Sequence, residues 1–265
     1  MERRRFLRAS IITGTVAGIA PYLSNASVNN DLQRKSKQEF YELREYTFTN
    51  AAQQQLVEDY FQKAAIPALN RLGSKHIGVF REQDAKGQPR LFVVVPFASL
   101  ETFKNMRDLL QTDKAYQQAA DAYLNATVKS PAYARIQSSL LRAFPSIPVM
   151  EVPEKKQRLF ELRRYESHSE LAHQKKIKMF GEGGEIETFR RVGLHPVFFG
   201  EALIGERLPN LTYMIVFEDM AEHDKNWKAF SADPEWVKIK DMPEYANTVT
   251  TITRTFLLPT EFSQI

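Results

Sequence analysis

The 265-residue chain carries 36 lysines and arginines against 32 aspartates and glutamates, for a formal net charge of +4, and it contains no cysteine. It therefore has no disulfide framework, no thiolate metal site and no thiol nucleophile, and its hydrophobic content of 43% is that of a packed globular chain. Four of the arginines and one glutamate fall in the first 26 residues, so the remainder has a net charge of only +1 and no electrostatic warrant for binding nucleic acid.

The chain starts with Arg3-Arg4-Arg5-Phe6-Leu7-Arg8, positive charge followed by an aromatic-leucine pair, which is the layout of a twin-arginine export signal. Residues 9–23 are apolar with interleaved Thr and Gly, and Ser24-Asn25-Ala26 offers the small residues that a signal peptidase reads. That stretch is shorter than the roughly 20 residues a spanning helix needs, so a signal cleaved after Ala26 is expected rather than an anchor. The expectation is a periplasmic or secreted protein, a client of the twin-arginine export machinery, with no stable membrane insertion after cleavage. Residues 27–38 are polar and read as a linker.

The strongest internal signal is repetition. Tyr41-Glu42-Leu43-Arg44-Glu45-Tyr46 returns 119 residues later as Phe160-Glu161-Leu162-Arg163-Arg164-Tyr165. At an offset of 120, Ile66, Leu69, Arg71, Leu72 and Gly73 meet Ile186, Phe189, Arg191, Val192 and Gly193, while Phe97, Leu100, Asp113 and Tyr116 meet Phe217, Met220, Asp233 and Trp236. Near the end an offset of 112 pairs Arg142 and Phe144 with Arg254 and Phe256. A register held over this length is a duplication: a first module over residues 39–146, a connector over 147–157 and a second module over 158–260.

In chain order, residues 40–48 alternate with a two-residue period and predict a strand. Leu56, Val57, Tyr60, Phe61, Ala64 and Ala65 recur at helical spacing, with Pro67 expected to kink or end that helix. Residues 77–80 and 91–97 are apolar runs on either side of a Gly-Gln-Pro turn and predict a hairpin. Ser99 is the expected N-cap of the next helix, and residues 140–144 close the first module as a strand. In the second module Gly181-Glu182-Gly183-Gly184-Glu185 lacks the lysine of a phosphate loop and reads as a break between helical pieces. Asp219 with Glu222 forms a capping-box pattern, Asp233-Pro234 marks a further helix start, and residues 249–256 are the last strand. The order is β-α-β-β-α-β, the ferredoxin-like module. The fold class is α+β: two tandem modules whose antiparallel sheets face each other as an intrachain α/β barrel, helices outside.

The Tyr-Glu-Leu-Arg-x-Tyr strand at 41–46, its echo at 160–165, and Leu208-Pro209-Asn210-Leu211-Thr212-Tyr213-Met214 running on to Trp227, Phe230 and Asp233-Pro234-Glu235-Trp236 closely resemble the NIPSNAP family. The first module departs from the pattern: Gly87-Gln88-Pro89-Arg90-Leu91-Phe92 replaces the Leu-Pro-Asn-Leu-Thr-Tyr segment, and Tyr116 stands where the second module has Trp236. The resemblance implies the dimeric α/β-barrel superfamily, which includes cofactor-free monooxygenases, haem-dependent enzymes and proteins of no known activity. Kinship of that breadth does not transfer chemistry.

On the first strand Glu42, Arg44 and Tyr46 share one face, and Tyr41 and Leu43 the other. If the more apolar face takes the helices, the charged face lines the barrel, and Glu161, Arg163 and Tyr165 repeat it from the second module. Such a lumen can hold a polar or anionic small molecule, arginine forking onto a carboxylate; the same Glu and Arg can equally pair with each other as structure. His195 is the histidine best placed to reach a ligand, since His76 falls one residue out of register and so on the opposite face. His168 and His173 do not share a helix face, and His223 lies beside acids on an expected surface helix. Trp227, Phe230 and Trp236 read as a core stripe. No Gly-x-Ser-x-Gly, His-Glu-x-x-His or dinucleotide fingerprint occurs. No metal is therefore expected, no catalytic residue is assigned, and the cofactor is unknown, haem being a weaker variant. The expected function is binding of a small organic ligand between the two repeats, anchored by Arg44 and Arg163. The alternatives are a cofactor-independent oxidoreductase or isomerase and a non-catalytic interaction module; a homodimer is a further possible assembly.

Overall fold

The computed structural model describes residues 38–265; the expected export signal and almost all of the expected linker lie outside the described residues. The first module runs β1 (Phe40–Thr47), α1 (Ala51–Tyr60), a π turn (Phe61–Ala65), α2 (Ile66–Arg71), β2 (Gly78–Glu82), β3 (Arg90–Phe97), α3 (Leu100–Thr112), α4 (Lys114–Ala119), α5 (Asp121–Leu124) and β4 (Arg135–Ala143). The second runs β5 (Leu159–Glu166), α6 (Glu170–Phe180), α7 (Glu185–Arg191), β6 (His195–Ile204), β7 (Asn210–Phe217), α8 (Met220–Ala232), α9 (Pro234–Lys240) and β8 (Thr251–Pro259).

The helix starts are where the short polar side chains put them. Ser99, Asp219 and Asp233 each accept backbone N–H groups of the first turn that have no partner within the helix. Glu222 reaches back to the Glu218 N–H at 2.6 Å, one residue earlier than a strict capping box. Pro67 does not end its helix. It has no N–H to lose, and the π turn ahead of it, in which the Ile66 N–H reaches back to the Phe61 carbonyl, re-phases the ladder so that the helix continues through it.

The eight strands close into one barrel in the order β1-β3-β2-β8-β5-β7-β6-β4, with every neighbouring pair antiparallel. Each module contributes four adjacent strands, and β2–β8 and β4–β6 are the seams between them. The β4–β6 seam is tight at Gly200, where any Cβ would lie 2.8 Å from that of Leu141. The register corrects one expectation about the repeat: Ser138 lies opposite Arg44 as Arg254 lies opposite Arg163, so the closing strands correspond at an offset of 116 rather than 112. The chain also continues usefully past residue 260, since Ser263 Oγ accepts the Val79 N–H and Ile265 is buried against the barrel interior.

The sidedness of the sheet is the reverse of that expected. Tyr41, Leu43, Phe80, Phe92, Phe160, Leu162, Phe198, Met214 and Leu257 fill the lumen. Tyr46 packs with Val57, Phe61 and Tyr116 of the surrounding helices, and Tyr165 with Phe180, Phe189 and Phe230. An eight-stranded barrel is just wide enough for its own side chains to fill, and charges there would be desolvated from every direction. The outer face meets helices whose margins open to water, where an arginine can keep its hydration.

Candidate functional site

Because β1 and β5 turn their Glu-x-Arg-x-Tyr faces outward, each module holds the same three side chains between its sheet and its helices. The two copies sit in different surroundings. In the second module Glu161 is fully buried, and the Arg163 side chain retains 9% of its exposure. Arg163 donates to Glu161 at 3.0 Å and to the Tyr165 hydroxyl at 3.1 Å, and its guanidinium lies 4.2 Å from the ring centre of Trp227. The Trp227 indole N–H donates to the second Glu161 oxygen at 2.9 Å, with His223 Nε2 3.5 Å away, and Tyr165 bonds Tyr213 at 3.0 Å. Burial works against the charge on Arg163, but the oxygens of Tyr213, Tyr165 and Glu161 outweigh it and hold the guanidinium charged. This copy is a sealed ion pair with an aromatic lid.

In the first module the Glu42 and Arg44 side chains keep 12% and 28% of their exposure and border a cavity of about 530 Å³. Arg44 donates to Glu42 at 2.8 Å, and Ser138 donates to the other Glu42 oxygen at 2.9 Å. Phe97, Phe103, Met106 and Leu110 form apolar walls, with Tyr60 and Tyr116 opposite and Lys104 and Arg107 at the opening. Tyr60 bonds Tyr116 at 2.9 Å and stacks on Tyr123 at 3.8 Å, and Tyr123 meets Tyr46 at 3.2 Å. Burial, then the neighbouring Tyr116, pushes the Tyr60 phenol well above its usual value, so it remains a neutral hydrogen-bonding group.

The difference has one visible cause. Helices α3 and α8 are both 13 residues long and start at N-caps in the same place in each repeat, which sets Arg107 at the position of Trp227. The indole that covers Arg163 is replaced by an exposed arginine, and the space stays open.

A NIPSNAP family model matches residues 41–148 and again residues 160–264. The chain belongs to the NIPSNAP family. Its fold is similar to that of a candidate monooxygenase from Lactobacillus acidophilus NCFM, at a TM-score of 0.56 and 11% identity, covering 84% of this chain and 94% of that one. A candidate monooxygenase from Fusobacterium nucleatum aligns at a TM-score of 0.55 and 8% identity, over 84% of this chain and 92% of its own. At such identities the likeness is one of fold. An uncharacterised NIPSNAP-like domain protein from Burkholderia xenovorans aligns with 40% of this chain and 89% of its own at 21% identity, with a TM-score of 0.37. No curated protein sequence matches.

The remaining expected site residues of this NIPSNAP chain are not brought together. Glu42, Arg44 and Tyr46 lie on one side of the barrel wall and Glu161, Arg163 and Tyr165 on another, so they do not share a lumen. His195 opens β6, exposed, beside a hollow of about 310 Å³ that it shares with Arg158 and Glu151 and with none of the other candidates. His76 precedes its strand in a left-handed turn at φ 59°. His223 is buried rather than superficial, packed on Phe217 and Phe256. Tyr60 and Tyr116 stand out in the sequence only as a helix stripe and a repeat position, and Arg107 not at all, so none of the three is a site candidate there. The repeat itself held the signal for Arg107, because the offset of 120 sets it against a tryptophan.

Proposed function

We propose that this protein binds a small organic anion with an apolar or aromatic body, in the sheet–helix cavity of the first repeat rather than in the space between repeats. The observation that carries this reading is the open cavity over Glu42 and Arg44, beside a second repeat in which the same cavity is closed by Trp227. Its volume is that of a small-molecule site. Its four charged residues, Arg44, Lys104 and Arg107 against Glu42, leave a positive excess, and Arg44 is oriented by Glu42 so that little ordering remains to be done when a ligand arrives. Binding is favoured over proton-transfer chemistry because both Glu42 oxygens are already occupied as acceptors, from Arg44 and Ser138, and Tyr60 stays protonated.

Titration with 8-anilinonaphthalene-1-sulfonate, an aromatic anion, tests the site directly. Saturable fluorescence enhancement is expected for the native protein, and a loss of at least about tenfold in affinity for Arg44→Ala, the worth of one charge-assisted contact. Equal titration curves would overturn the assignment. Native mass spectrometry of the exported protein would identify a ligand carried through purification.

The reading extends to location. The Arg3-Arg4-Arg5-Phe6-Leu7 pattern supports export to the periplasm or beyond by a route that carries folded proteins, so the barrel would close before crossing the membrane. Changing Arg3 and Arg4 together to lysine should leave the full-length precursor in the cytoplasmic fraction, with the unaltered protein recovered outside it and starting at Ser27. Identical fractionation of the two would refute the export signal.

A further inference from the structure

The barrel is not filled to both ends. Above Phe92 and Leu162 the lumen widens into a polar hollow of about 170 Å³ at the mouth where Thr47, Arg90, Glu166 and Thr251 end their strands. Most charges around it are committed. Arg90 donates to Glu45 at 2.7 Å and to Glu82 at 2.6 Å, Arg207 to Glu166 at 3.3 Å, and Gln137 to Glu206 at 3.0 Å. Arg164, half-buried on the inward face of β5, has no hydrogen bond or ion pair among the described residues, although it is the sequence neighbour of Arg163, which pairs with Glu161. The register sets Thr253 of β8 on one side of it and Thr212 of β7 on the other. Cross-strand partners on one face lie about 5 Å apart, so the two threonines flank Arg164 where it leaves the strand; the Thr212 hydroxyl donates to Asn210 Oδ1 at 3.3 Å, while that of Thr253 has no hydrogen bond among the described residues.

An uncommitted guanidinium beside an uncommitted threonine hydroxyl, in a hollow with an apolar floor, is the arrangement that recognises an oxyanion bidentately. The hollow has room for roughly six water molecules at ~30 Å³ each, which suits a compact anion and excludes the larger ligand of the first-repeat cavity. We propose that the barrel mouth is a second ligand site, distinct from that cavity, which binds a small oxyanion such as phosphate or a short carboxylate through Arg164 and Thr253. The site is built from both repeats: Arg164 and its threonines come from the second, while the Arg90–Glu45 pair that fixes the opposite wall comes from the first.

Isothermal titration of the whole protein with inorganic phosphate, sulfate and malonate, each separately at constant ionic strength, tests this. At least one probe should bind saturably and raise the thermal midpoint of the native protein; preference for malonate identifies a carboxylate site and preference for phosphate or sulfate an inorganic one. Arg164→Gln should weaken that binding at least tenfold with an unchanged midpoint in the absence of probe, because the side chain has no partner to lose. Glu206→Gln, which removes a carboxylate that pairs with no arginine among the described residues, should strengthen it. Arg44→Ala should leave it unchanged while weakening the dye binding of the first cavity at least about tenfold, so the two sites fail independently. No saturable binding by any probe, equal affinity in Arg164→Gln, or weaker binding in Glu206→Gln would each overturn the proposal.

Discussion

Arg163→Ala is expected to lower the unfolding free energy by about 3–5 kcal/mol, because it strips a fully buried carboxylate of its cation and leaves Glu161 with only the Trp227 indole and His223 nearby. Urea unfolding would read this as a fall in midpoint at unchanged slope. The matching change in the other repeat, Arg44→Ala, removes a pair that is part-exposed, and about 1 kcal/mol or less should be lost. Similar losses in the two variants would contradict the division between a sealed pair and an open one. The contrast separates stability from binding: the residue whose loss unfolds the chain is not the residue whose loss empties the cavity.

Arg107→Trp should close the first-repeat cavity by copying into it the side chain that occupies the equivalent place in the second. Dye affinity is expected to fall by about a hundredfold, roughly 2.8 kcal/mol. Thermal stability should hold or rise, since the new indole buries apolar surface over Phe103 and Leu110, to the extent of up to about 2 kcal/mol. The converse variant, Trp227→Arg, should open a cavity over Arg163 at a cost in stability. Retained dye binding in Arg107→Trp, in a protein that still unfolds cooperatively, would sink the site assignment.

The duplication, the order of elements, the helix caps and the closed barrel were all legible from the sequence, because each rests on local periodicity or on residues repeated at a fixed spacing. The direction in which the first strand faces was not. Alternation along β1 separates Glu42, Arg44 and Tyr46 from Tyr41 and Leu43 without saying which set goes inside. The inference that the apolar set takes the helices fails because a barrel this narrow excludes water from the middle of its lumen, whereas the sheet–helix layer is amphipathic at its margin. The outward set is not polar throughout, since the tyrosines supply apolar rings to the helices and hydroxyls to each other. Arg164 was hidden for a related reason. It shares the mouth end of an otherwise apolar inward face with Glu166, and its importance comes from the threonines that neighbouring strands bring alongside it.

The two seams β2–β8 and β4–β6 join strands of one polypeptide. A barrel made from two separate subunits dissociates on dilution, and its stability depends on concentration; here the halves are held at a fixed effective concentration, and the barrel is as stable at nanomolar levels as at millimolar ones. Identical subunits must also change in step, every substitution appearing twice. A tandem chain is free of that constraint. It can keep Trp227 in one half as a clamp and place Arg107 in the other as an entrance, so that one repeat carries the rigidity of the fold and its sibling the vacancy.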